Sequence, residues 1–292
     1  MNEIVVGVDG SEPGMAAVDR AAWEAVLRNA PLRVVHSAPP WLFHPPATHR
    51  LAAVRDWMYA NGEEILRRAL ARARGKAPGV RASGEQIGGQ AADVLIRESA
   101  EAAMVVVGGH GAGALADLLL GSAALQVVSH AVCPAVDVRP GGDAHAQDPT
   151  GEIVVGVDGS PGSADALGFA FEEAALRKAP LRALLARSRP ASQGPGDMQP
   201  LVHDPAVVMK EERALTEFVA GWVSEYPDVA FTHQVVHARP ARALVEASAG
   251  AGLLVVGARG RGGFSGLLLG SVGHAVLHRA RCPVAVVPHR RR

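Results

Sequence analysis

The sequence predicts an α/β protein built as two tandem open-sheet domains, each a parallel sheet with helices on both faces. One observation is a repeat. Glu3-Ile4-Val5-Val6-Gly7-Val8-Asp9-Gly10-Ser11 recurs residue for residue as Glu152-Ile153-Val154-Val155-Gly156-Val157-Asp158-Gly159-Ser160, an offset of 149 (152 − 3). The same offset carries Gly108, Gly111, Gly121 and Ser122, spaced G-x2-G-x9-G-S, onto Gly257, Gly260, Gly270 and Ser271. Two copies in one register, without net insertion, are duplicated domains rather than a solenoid. The other observation is alternation. Valine-rich runs without an in-out pattern are strands buried on both faces, and their regular exchange with helical segments implies parallel strands joined by helices.

In the first copy residues 3–8 are the first strand, broken at Gly10. Ser11 caps a helix with Pro13 tolerated in its first turn. That helix runs to about residue 29, with Ala17, Ala21 and Val26 facing inward, and Pro31 ends it. The second strand is 32–37. A proline-rich stretch over 38–49, with Trp41, precedes a helix over about 50–74. A weak third strand lies near 80–87 and a third helix over about 91–102. The fourth strand is 104–108, apolar throughout. A helix opens near Ser122 and ends by Ala131, and the fifth strand is 134–138. The second copy follows the same order. The expected boundaries are domain 1 at 1–140, a breaker-rich linker at 141–150, and domain 2 at 151–292.

Composition narrows the function. The chain has 292 residues, 48% hydrophobic and 20% charged, with zero formal net charge. It is globular, and it lacks the basic domain of a general nucleic-acid binder. No apolar run approaches the ~18 residues of a membrane span. The first strand begins within three residues and no basic segment precedes an apolar one, so no signal peptide is expected. Cys133 and Cys282 are no disulfide framework, and they read as small buried hydrophobes of a reduced, cytoplasmic protein. The twelve histidines show no spacing that we read as a metal site. Neither a P-loop nor a G-x-S-x-G elbow is present, and no catalytic residue is assigned.

The glycine motif points to phosphate. Anion binding needs backbone N–H groups around one concavity with no side chain in the way. Gly257 and Gly260 are expected to supply positive φ and close approach after the fourth strand. Gly270 and Ser271 then open a helix whose free N–H groups and dipole favour an anion. The nine intervening residues are expected to fold back, so that both ends meet one phosphate chain. Asp9 and Asp158 end the first strand, beside the crevice where open α/β sheets bind ligands. A carboxylate there accepts from ribose or adenine, or it serves as a turn residue before Gly-Ser.

Val-Gly-Val-Asp-Gly-Ser, the segment from Val255 to Val272, and Cys-Pro-Val-Ala-Val-Val closely resemble the universal stress protein family, over nearly the whole chain. The resemblance implies five parallel strands per domain in the order 3-2-1-4-5, and an adenine-nucleotide site holding ATP with Mg2+ carried mainly by the phosphates. It implies that Asp9 and Asp158 contact the nucleoside and that Ser37 and Ala186, at the end of the second strand, lie against adenine. Gly108, Gly111, Gly121 and Ser122, and Gly257, Gly260, Gly270 and Ser271, would hold phosphates. It also implies pairing of the two domains through their fifth strands and leaves room for a homodimer and for a regulatory protein partner. Ala124 and Gly273 stand where many members have Ser or Thr. Arg259 and Arg261 flank the second loop, where the first offers only His110, so the second site is expected to bind more tightly. Asp137 interrupts the fifth strand where the second copy has Val286. The favoured reading is an ATP-binding stress regulator without strong catalysis, because no candidate base recurs in both copies. The alternatives are an ATPase or nucleotidyl-transfer enzyme, and a scaffold that binds no nucleotide.

Overall fold

A computed structural model describes residues 3–44, 49–109, 121–139, 150–188, 205–260 and 269–289. The chain divides into two compact units. The first comprises Met1–Gly142 together with Pro283–Pro288, and the second comprises Asp143–Cys282 with His289–Arg292.

In the first unit β1 (Glu3–Gly7) leads to α1 (Glu12–Leu27), β2 (Leu32–Ala38), a 3₁₀ turn (Pro40–Phe43) and α2 (His49–Lys76). Then come β3 (Ala82–Gly88), α3 (Ala91–Glu98), β4 (Ala102–Gly108), α4 (Ser122–His130) and β5 (Ala135–Val138). The strands lie in the order β3-β2-β1-β4-β5, all parallel, as the resemblance implied. In the second unit β6 (Ile153–Val157) leads to α5 (Pro161–Arg177), β7 (Leu181–Ala186), α6 (Pro205–Glu225) and β8 (Phe231–Val236). α7 (Pro240–Ala247), β9 (Leu253–Gly257) and α8 (Ser271–Arg279) complete that unit, whose strand order β9-β6-β7-β8 is parallel too. The chain's last strand, β10 (Val284–Val287), belongs to the first unit. There it runs antiparallel to β5 with Val284 opposite Asp137 and Val286 opposite Ala135. It covers an apolar edge that would otherwise template aggregation.

Burial explains the central strands. Ile4, Val5 and Val6, and their counterparts Ile153, Val154 and Val155, are all fully buried. Consecutive residues point to opposite faces, so both faces of these strands are covered. No residue of the outer strand β3 (Ala-Ser-Gly-Glu-Gln-Ile-Gly) is buried, which is why its sequence signal is weak. Ser11 caps α1 as expected, its Oγ accepting from Gly14 N at 3.2 Å, and Ser160 does the same for Ser163 N in α5. Val26 differs from expectation. It is exposed, and the inner face of α1 is Met15, Ala17, Val18, Ala21, Ala22 and Ala25. At a rotation of ~100° per residue, Val26 lies just past Met15 at the margin of the buried arc, in the last turn of the helix. Cys133 and Cys282 are buried thiols, not joined in a disulfide.

Candidate functional site

The site is assembled where β6, β7 and β9 end. A Cβ on Gly257, the last residue of β9, would stand 2.6 Å from the carbonyl oxygen of Gly162 in α5. Gly108 repeats this against the Pro13 carbonyl at 2.4 Å. These glycines therefore let the first helix of each unit lie directly on the end of the fourth strand. The expectation of positive φ at Gly257 and Gly260 is not met. Left-handed backbone occurs instead at Gly10 (φ 83°) and Gly159 (φ 78°), directly after Asp9 and Asp158. Gly257 and Gly260 are required for clearance rather than for a special dihedral.

Both ends of the nine-residue loop meet. Gly270 N donates to Ala258 O at 2.8 Å, and a Cβ on Gly270 would lie 3.8 Å from Gly260 N. Gly121 N donates to Gly109 O at 2.7 Å in the first unit. α4 and α8 start at Ser122 and Ser271 after glycine N-caps, without a side-chain cap bond. The contrast with the serine-capped α1 and α5 is chemical. There a hydroxyl satisfies an orphan N–H, while at α4 and α8 the first-turn donors stay available to an anion.

A cavity of about 440 Å³ opens above this turn in the second unit. Asp158, Ala186, Gly257, Arg259, Gly260, Gly270 and Ser271, all named from the sequence, line it. Arg261 lies outside the described residues, as do Gly111 and His110 of the first unit. In the first unit Asp9 is exposed at the end of β1 and Ser37 is half-buried near the end of β2, on the same carboxyl side as Gly108 and Gly121.

The turn role of the aspartates is visible in their hydrogen bonds. Asp158 Oδ1 accepts from Ser160 N at 2.9 Å, and Asp9 Oδ1 accepts from Ser11 N at 3.0 Å and from its hydroxyl at 2.5 Å. One carboxylate oxygen thus holds the turn. The other oxygen of Asp158 faces the loop, 2.5 Å from where a Gly260 Cβ would be.

Sequence reasoning missed the apolar wall formed by Leu184, Pro240, Leu244 and Val256. The readable signal was Gly156 in mid-strand, since a strand glycine marks a close approach. A Cβ there would come within 2.9 Å of Leu244, and one on Gly7 within 2.5 Å of Leu95. The two units also differ beneath the loop. Asp137 of β5 is fully buried, neither of its oxygens has a hydrogen-bond partner, and the nearest cation, Arg139 Nε, stands at 3.7 Å. Its Oδ1 would be 2.7 Å from a Cβ on Gly109. Burial pushes this carboxyl up to about 7, against a partial lowering by Arg139.

Fold and site define a tandem α/β protein with a glycine-framed cavity at the carboxyl ends of its parallel strands. The model of the universal stress protein family matches residues 1–139 and again 150–288, and the chain belongs to that family. A universal stress protein of Mycobacterium tuberculosis (strain ATCC 25618 / H37Rv) is 41% identical over 291 residues, covering 97% of this chain and 96% of the relative. The crystal structure of a universal stress protein from Archaeoglobus fulgidus DSM 4304 has the same fold, with a TM-score of 0.73 at 17% identity over 99% of this chain and 98% of that one. A universal stress protein solved in complex with cAMP matches 48% of this chain and 98% of its own, at 27% identity and a TM-score of 0.37.

Proposed function

We propose that the chain is a nucleotide-dependent stress regulator that binds ATP, with Mg2+ on the phosphates, and does little catalysis. The observation that supports this is the second unit's cavity. Its size falls in the range of small-molecule sites. Its polar and apolar linings are segregated as a nucleotide requires. Leu184, Ala186, Pro240, Leu244 and Val256 offer an apolar slot for a base, Asp158 an acceptor for ribose, and Gly260, Gly270 and the open start of α8 a bed for phosphates. When bound, Mg2+ neutralises phosphate charge, and the hydroxyl of Ser271 is a side-chain donor at the start of α8. A single exposed helix N-terminus contributes only ~0.3–1 kcal/mol toward an anion, so the loop amides and Arg259 act together with it. The two buried cysteine thiols fit work in a reducing cytoplasm.

Titration calorimetry of freshly stripped protein with Mg-ATP is expected to approach two sites per chain, and mass analysis of fresh protein to find adenine nucleotide. Neither uptake nor endogenous ligand would reduce the glycines to tight-turn residues of a scaffold. ADP accumulating from added ATP would favour the ATPase reading.

The second site is expected to be the tighter one. Arg259 lines it and is exposed toward solvent. A guanidinium on a triphosphate forms charge-assisted bonds of ~1.5–3 kcal/mol. Replacing Arg259 and Arg261 by Ala should therefore weaken one of the two sites about tenfold or more and leave the other unchanged. Two affinities unaltered by the double change would contradict this ranking.

A further inference from the structure

α8 carries two imidazoles that the nucleotide reading leaves aside. His274 and His278 stand at i and i+4, one turn apart on one face of the helix. Their ring centres are 4.5 Å apart and their planes are inclined by 48°. That spacing has a chemical meaning. Two imidazoles bound to one ion through nitrogens at ~2.0–2.1 Å have ring centres ~4.5–5 Å apart, the smaller value at a right angle and the larger near the tetrahedral angle. The pair's ring-centre spacing meets the lower of these values on an intact helix. His274 is exposed and His278 half-buried, and neither lines the cavity of the second unit.

The fold does not demand this pair. The 149-residue offset places Leu125 and Ser129 at the corresponding positions of α4, a helix of the same length. Imidazole is a borderline donor, suited to zinc, nickel and copper, whereas magnesium and calcium prefer oxygen. No group of three or more His, Cys, Asp or Glu side chains converges anywhere among the described residues, so the pair would supply two ligands and water the rest.

We propose that His274 and His278 form a bidentate site for a borderline divalent transition-metal ion, with open coordination positions. Such a site binds exchangeably rather than structurally, since closed structural centres use four protein ligands. Affinity among ions follows the order of donor preference, with copper above nickel and zinc.

The test uses the tag-free full chain, stripped with EDTA. Nickel chloride titration should show one ion per chain, and the copper(II) form should give an electron paramagnetic resonance spectrum with coupling to two nitrogens. His274→Ala removes an exposed side chain, so the fold should persist by circular dichroism and metal-free melting. Its affinity should fall at least tenfold and its copper spectrum should retain one of the two nitrogens. His278→Ala should behave alike where it folds. A nickel affinity unchanged in His274→Ala would assign binding to other histidines and overturn the proposal. Wild-type copper coupled to a single nitrogen would overturn it as well. Nucleotide binding enters neither readout.

Discussion

Gly260→Asp should remove one nucleotide per chain while leaving the fold and the other site intact. The reason lies in a contact the sequence does not reveal. A Cβ at Gly260 would be 2.5 Å from Asp158 Oδ2, so the new side chain would have to displace the very carboxylate proposed to hold ribose. It would also bring a second negative charge to the phosphate bed. Two unit charges ~4 Å apart interact by ~4 kcal/mol at the effective dielectric near a protein surface. Against a ligand carrying several charges this amounts to a loss of roughly a thousandfold or more. Gly260→Ala separates the two effects. It keeps the crowding against Asp158 without the charge, and should weaken the site by less. Calorimetry with Mg-ATP reads both variants. Two full-affinity sites in Gly260→Asp would mean that nucleotide phosphates do not approach this turn.

Much of this site could be read from the chain because the determinants are local. A glycine before a helix start, a serine cap, and an uninterrupted Ile-Val-Val run each act through neighbouring residues. The turn after Asp9 and Asp158 was legible for the same reason, although the left-handed residue proved to be the next glycine, Gly10 or Gly159, rather than Gly257 or Gly260. What was not legible is long-range. Leu244 meets Gly156 from a helix more than eighty residues away in sequence, and only the unexplained strand glycine hinted at it. The inclusion of β10 in the first unit depends on antiparallel pairing with β5 across the repeat. No local pattern specifies that partner; the pairing through the fifth strands was anticipated only from the family resemblance. The weak β3 and the outward Val26 show the converse. Where a residue meets solvent, propensity and pattern lose their hold and tertiary context decides.

Asp137→Val should stabilise the first unit, and the gain should grow with pH. Asp137 sits in β5 with no exposure and no hydrogen bond to either oxygen, and burial holds its carboxyl near 7 instead of the usual 3.8. The folded chain thus keeps a proton that the unfolded chain releases. For an acid raised in this way, stability is fullest below the unfolded value and is lost as pH climbs from about 4 to about 7. A preference of this size corresponds to roughly 4 kcal/mol at pH 8, an upper figure because Arg139 and solvent entry relax it. Valine is what the second copy carries at this position, Val286, and there the neighbouring turn residue is Ala258 where the first copy has Gly109. The exchange is sterically coherent, since a Cβ on Gly109 would be 2.7 Å from Asp137 Oδ1. The two copies thus differ at both positions together, Asp137 with Gly109 in one and Val286 with Ala258 in the other. Urea unfolding at pH 5 and pH 8 should show Asp137→Val more stable than wild type at both, and by a larger margin at pH 8. Asp137→Asn keeps the buried polar atoms but not the titration, so its stability should lose the fall between the two pH values. If Asp137→Asn retains the full wild-type pH dependence, the buried carboxyl is not its source.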